Sequence, residues 1–174
     1  MAINKDIPER KIYKLVPKAV EKRVIKLTEG SKKARRSAAR LAAVQVLYQM
    51  DINEQSASEA VAEFIEQRIG YELDGDVFVP ADRDLLKEIV TGAFDKQAEI
   101  SDIIKGQLAR KEKEKIDPIL EAVLKAASFE LLAHHDVDAP IIISDYMNVS
   151  HAFYEDGAPK MINAILDHLA KTLR

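Results

Sequence analysis

The chain contains no cysteine. Disulfides, thiol nucleophiles and thiolate metal sites are therefore excluded, and the absence fits a reducing, cytoplasmic setting. The six glycines are scattered. None falls in a G-x-x-x-x-G-K-[ST], G-x-G-x-x-G or G-x-S-x-G frame, so phosphate-cradling loops, dinucleotide fingerprints and nucleophile elbows are missing. No apolar run approaches the ~18 residues that read as a membrane span. The N-terminal lysines are not followed by the apolar region of a secretory leader. Among the four histidines, His134 and His135 are adjacent and would point about 100° apart on a helix. His151 and His168 lack an H-E-x-x-H spacing. No carboxylate pair has a spacing that singles it out for acid–base work. The expectation is a noncatalytic protein with no cofactor, no metal, no membrane segment and no small-molecule substrate.

What is present is unevenly charged. Of the 174 residues, the first 40 hold 13 Lys/Arg against 4 Asp/Glu, a net of +9, whereas the remainder is net −12. The overall −3 hides a basic end suited to a polyanion and an acidic body. The contrast is sharpest in "SKKARRSAARLAAVQVLYQMD", residues 31–51. Five bases, Lys32, Lys33, Arg35, Arg36 and Arg40, precede an apolar stretch, and no acid intervenes before Asp51. Positive charge at a helix N-terminus opposes the macrodipole, so this placement points to function. Arginine pairs phosphate at two points and stacks on unpaired bases. The cluster is therefore read as a nucleic-acid-binding patch, against the plainer reading of a solvated helix end.

The periodicity predicts helices throughout. The first runs from about Ser31 to Met50, with Ala34, Leu41, Val44, Tyr48 and Ile52 facing a core and Lys33, Arg36 and Arg40 forming one stripe. A capping box, Ser56 and Glu59, opens the second, with Val61, Phe64, Ile65 and Arg68 on one face. A Gly/Pro-containing loop, "GYELDGDVFVPAD", leads to a third helix near Asp82. Ser101 is read as the cap of a fourth, and "RKEKEKID" as a charged connector. Asp117-Pro118 is a strong start signal. "IIISDYMNVSHAFYEDG" reads as a helix carrying Ile142, Tyr146, Val149 and Phe153, although "IIIS" alone also fits a short strand. Pro159 opens the last helix. The expectation is an all-α chain of six or seven helices in two packed helical subdomains. Residues 1–30 form a basic, flexible extension and residues 31–174 the helical domain.

Two stretches resemble the NusB transcription antitermination family. "ARRSAARLAAVQVLYQMD" is similar to the family's arginine-rich opening and A-V-Q-x-L-Y core. "AVLKAASFELL", "HHDVDAPIIISDY" and "HAFYEDGAPKMINAILDHLAK" are similar to its A-V-L-R-x-A-x-Y-E-L, D-V-P-x-x-V-x-I-N-E and K-F-V-N-G-V-L-D segments. The chain departs at Ser144 and Asp145 within I-N-E, at Met161 where an aromatic is usual, and at Leu120, where the usual acid is displaced to Glu121. The resemblance implies a helical domain that binds boxA-type single-stranded RNA of ribosomal RNA transcripts. It also implies a partner, the ribosomal protein NusE, within the RNA polymerase antitermination complex. The expected RNA-binding residues are Lys32, Lys33, Arg35, Arg36 and Arg40, with Gln45 offering a hydrogen bond to a base edge and Lys160 matching the family's lysine. Tyr48, Met161 and Asp156 are expected to meet the partner. Two other readings stand beside this one. One is the NusB-like module of a ribosomal RNA cytosine methyltransferase, disfavoured by the lack of a Gly-rich cofactor loop and of a second domain. The other is a protein-only adaptor.

Overall fold

The computed structural model describes residues 30–69, 72–73, 76–77, 79–108, 116–155 and 157–174. The expected extension lies outside the described residues except Gly30, and so does the charged connector except Ile116 and Asp117. The elements are α1 (Lys32–Asn53), α2 (Ala57–Arg68), β1 (Glu72–Leu73), β2 (Asp76–Val77), α3 (Arg83–Asp95), α4 (Gln97–Gln107), α5 (Pro118–Ala133), α6 (Ala139–Phe153) and α7 (Ala158–Leu173). The two short strands pair antiparallel, Glu72 with Val77 and Leu73 with Asp76. They sit inside the segment read as a loop, and the fold is otherwise all-α. None of the described helices is long and apolar enough to cross a membrane.

Local chemistry sets most helix starts. The Ser31, Asp82 and Asp117 side chains accept from the backbone N–H groups of Ala34, Leu85 and Leu120, satisfying donors that a helix N-terminus leaves unpaired. Ser56 and Glu59 form the reciprocal capping box. Proline occupies the first turn of α5, α6 and α7, where its missing N–H costs no hydrogen bond. The segment beginning "IIIS" is helical from Ala139. Ser101 is not a cap: α4 begins one turn earlier, at Gln97, with no side-chain cap.

α5 is the axis of the fold. α1, α3, α4, α6 and α7 all pack on it. Its Ala122, Ala126, Ala127 and Ser128 are buried, and these small side chains let several neighbours approach at once. α2 packs on α1 and α3, while α6 and α7 pack on each other, and one continuous apolar core runs through both groups.

The buried face of α1 is rotated from the expected one. Of the five residues assigned to the core, Val44 is buried, Ala34 and Leu41 are half-buried, and Tyr48 and Ile52 are exposed. Ala39, Ala43, Val46 and Met50 face inward instead, flanked by Ala42 and Leu47. α1 is gripped by α3 and α5, and the tightest crossings select alanine over the bulkier residues that dominate a periodicity count. Phe153 is likewise exposed.

The crossing of α3 and α5 depends on Gly92. A Cβ there would lie 2.1 Å from Phe129 Cζ and 2.2 Å from its Cε2, far inside van der Waals contact. Gly92→Ala should therefore cost about 1–3 kcal/mol of stability through overpacking, despite alanine's better helix propensity. Adding Phe129→Leu should recover part of the loss. Urea unfolding followed by circular dichroism checks both, and an unchanged midpoint in the single variant would contradict the packing argument.

Candidate nucleic-acid interface

α1 opens with Lys32, Lys33, Arg35 and Arg36 and has no acid in its first turn. Lys32, Lys33 and Arg36 form one wall of a groove of about 520 Å³. The opposite wall comes from the α5–α6 connection and the start of α6, through Val137, Pro140, Ile141 and Ser144. Arg40 and Asp145 close the floor. Among the described residues, none of Lys32, Lys33 and Arg36 has a carboxylate within ion-pair distance. Their field is therefore turned toward the groove and solvent. Ile141 is 48% exposed, so the wall facing the cations is apolar. Sequence reasoning missed that wall, although three consecutive isoleucines on a helix require at least one to face outward.

Arg40 does not belong to the open cationic stripe. It is 2% exposed and held by two carboxylates. Its Nε and Nη2 donate to Glu130 Oε2 and Oε1 at 2.7 and 2.9 Å, a bidentate fork. Its Nη1 donates to Asp145 Oδ2 at 2.7 Å, and Ser37 Oγ donates to the same oxygen at 2.8 Å. This corrects the expectation that Arg40 meets nucleic acid. Position 40 lies on the side of α1 that faces α5 and α6, where a buried guanidinium must be paired. The signal for its partner was Glu130, the one charged residue inside "ASFELLA".

Glu130 is fully enclosed, and two further side chains join Arg40 around it. Tyr146 Oη donates to its Oε2 at 2.8 Å, and His134 Nδ1 lies 3.0 Å from its Oε1. Burial alone would raise the Glu130 pKa, but His134, Arg40 and Tyr146 hold it down at about 2. Burial beside Glu130 pushes the Tyr146 hydroxyl well above its usual range. The hydrogen bond to Glu130 raises His134 above the ordinary histidine value against the opposing effect of burial. His134 Nε2 is 3.1 Å from Glu88 Oε1 without the alignment of a hydrogen bond, so that contact is electrostatic.

Arg174 fixes the loop that carries the apolar wall. Its guanidinium donates to the backbone carbonyls of Glu130, Leu131, His134 and Val137. It thereby ties the last turn of α5 to the connection that follows it. The remaining expected residues lie elsewhere. Arg35 is half-buried, and its carbonyl accepts from the Asp82 N–H at 3.0 Å. Gln45 is half-buried on α1 and Lys160 is exposed on α7; neither lines the groove. Tyr48 is 37% exposed on α1. Near it in sequence, Asp51 pairs at 2.9 Å with Lys125 of α5. Met161 is half-buried against the core, and Asp156 lies outside the described residues. Among the described residues, no group of three or more His, Asp or Glu is arranged to hold a metal ion.

The model of the NusB family matches residues 37–171. The chain belongs to the NusB family. It is 41% identical over 140 residues to the transcription antitermination protein NusB of Rhizobium rhizogenes, covering 80% of this chain and 88% of that one. It is 43% identical over 148 residues to the protein of the same name from Rhodopseudomonas palustris, covering 84% and 85%. Solved structures share the fold. T. maritima NusB superposes with a TM-score of 0.65 at 20% identity, covering 78% of this chain and 90% of that one. A structure of the antitermination factors NusB and NusE in complex with double-stranded RNA gives 0.66 at 21%, covering 79% and 97%. The chain is thus a NusB-like transcription antitermination factor.

Arg40→Ala should destabilise the fold by about 3–5 kcal/mol, because it strands buried Glu130 without its counter-charge. Denaturant unfolding measures this, and a loss below ~1 kcal/mol would contradict the assigned burial. The cluster also sets a pH profile. Stability from Glu130 is present above its unfolded value of 4.5 and is lost as pH falls toward about 2. Stability from His134 is present below its unfolded value of 6.5 and is lost as pH rises through its higher folded value. Melting temperature in His134→Gln should therefore vary less with pH above 6.5 than in the wild type. Parallel profiles would show that His134 is not ionised in the folded state.

Proposed function

We propose that the groove between α1 and α6 holds single-stranded RNA of the boxA type, and that the chain acts with the ribosomal protein NusE in the RNA polymerase antitermination complex. The observation that carries this reading is the facing of Lys32, Lys33 and Arg36, which have no carboxylate partner among the described residues, onto an apolar wall in one groove. Phosphates release counterions when they meet the cations. Unpaired bases, which a single strand can splay outward, find Val137, Pro140 and Ile141 opposite them. Duplex RNA hides those base faces, so the apolar wall favours a single strand. The association of NusB with NusE and double-stranded RNA in a solved structure of the same fold supports RNA and NusE as partners; the choice of a single strand rests on the apolar wall.

The partner is assigned to a different side of α1. Tyr48 and Ile52 are exposed there, one turn apart, beside the Asp51–Lys125–Glu121 ion pairs. An amphipathic tyrosine next to an apolar side chain is the composition of a protein interface core. RNA and partner then occupy separate faces of one helix, and binding of one leaves the other's surface open. The antitermination reading is preferred to the methyltransferase module because the relatives at 41–43% identity, matched over 85–88% of their length, are antitermination proteins. Residues 31–174 form the RNA-binding domain in this scheme, and residues 1–30 add basic charge to the same end of the chain.

Lys33→Ala with Arg36→Ala should weaken RNA binding and reduce the slope of log affinity against log salt by about 1.4, at roughly 0.7 for each single-strand phosphate left without its cation. Unfolding should hardly change, since neither side chain is in the core. A salt-titrated fluorescence anisotropy series checks this; equal slopes in both proteins would remove the groove from the RNA path.

A further inference from the structure

The floor of the groove holds a carboxylate, Asp145, beside the buried guanidinium of Arg40. Arg40 gives two donors to Glu130 and its third to Asp145, so one guanidinium is shared by two carboxylates. Its Oδ2 is taken by Arg40 and Ser37. Its Oδ1 accepts no hydrogen bond from any described residue and is not fully enclosed; Asp145, 9% exposed, lines the groove. A phosphate is repelled from that point. What fits is a hydrogen-bond donor delivered between a cationic rim and an apolar wall.

We infer that Asp145 is a specificity residue that selects guanine in a bound single strand, by accepting hydrogen bonds from its Watson–Crick edge. This rests on the RNA reading above. The chemistry separates the four bases. Guanine presents two adjacent donors, N1–H and the N2 amino group, to a carboxylate. Adenine and cytosine each place a ring-nitrogen acceptor beside their single amino group. Uracil flanks its one N–H with two carbonyl oxygens. A carboxylate accepts and does not donate, so the uracil carbonyls meet like charge, and adenine and cytosine can offer one amino donor but not two. Pro140 and Ile141 are placed to cover the base face, while Lys33 and Arg36 hold the flanking phosphates at the rim. The Arg40 and Ser37 bonds fix the carboxylate plane, so its free oxygen is presented in one orientation. Asp145 thus acts on base identity, and the α1 cations act on affinity.

The test uses the full chain and four 12-nucleotide RNAs at one low salt concentration. These are oligouridine and the same strand with a central guanosine, inosine or adenosine. The guanosine strand should bind roughly fivefold more tightly than oligouridine, the low end of the range for a base contact, since both guanine donors share the single free oxygen. Inosine lacks the N2 amino group and should forfeit most of that gain, and adenosine should show none. Asp145→Asn should bring all four within about twofold while leaving the salt slope unchanged, a result that a merely structural Asp145 would not give. Equal binding of the four strands by the wild type overturns the inference, as does a guanosine preference that survives in Asp145→Asn. Should that variant fail to fold, the wild-type series decides alone. Failure of every strand to bind, even at low salt, overturns the RNA reading itself, and so is distinguishable from binding without discrimination.

Discussion

A guanidinium almost cut off from water is tolerable only when its donors are met by acceptors of opposite charge. Arg40 meets that condition through Glu130 on α5 and Asp145 on α6, and the architecture follows from it. α1 and α6, which line the groove, and α5 are fastened at the point where their side chains converge. An ion cluster of this kind adds little net stability compared with a well-packed apolar cluster, because desolvation offsets most of the Coulombic gain. What it supplies is direction. Apolar contacts would permit α1 to slide or rotate on α5, whereas a two-point fork to Glu130 with a third bond to Asp145 permits one register. That register turns Lys32, Lys33 and Arg36 toward α6 and places Tyr48 on another face.

The sequence made most of the helices legible, and the groove only in part. Helix starts were readable because they are local: Ser56 with Glu59, Asp82, and Asp117 with Pro118 cap within four residues of themselves. The rotation of α1 was not, because which face is buried depends on α3 and α5, and alanine carries little weight in a periodicity count. Arg40 shows the same limit. In the string "ARRSAAR" it is indistinguishable from Arg36. Only the placement of Glu130, ninety positions away, separates a buried structural arginine from an exposed one. Val137, Pro140 and Ile141 were invisible as a site because an apolar wall becomes one only when cations face it.

Charge is sorted by depth in this groove. Cations without described partners occupy the rim, and beneath them Arg40 is shared between Glu130 and Asp145, of which Asp145 lines the groove. A purely basic cleft would hold any polyanion by its backbone. One acid at the floor turns the same cleft toward ligands whose charge and hydrogen-bond donors are on opposite edges, as they are in a nucleotide. The overall acidity of the chain, with its pI near 5.9, is no obstacle to such binding, since the local field around α1 is positive.

The wide separation along the chain between Arg40 and its carboxylates, 90 and 105 positions, bears on how the protein matures. Ribosomes add roughly 5–20 residues per second, and segments begin to fold in the order they emerge. For several seconds a nascent chain therefore displays its basic helix with the Arg40 charge uncompensated and no opposing wall. Contact with nucleic acid in that interval would be indiscriminate. The groove itself is complete only late, once α6 has emerged and Arg174 has tied down the preceding loop, so newly made and finished molecules present different surfaces to a polyanion.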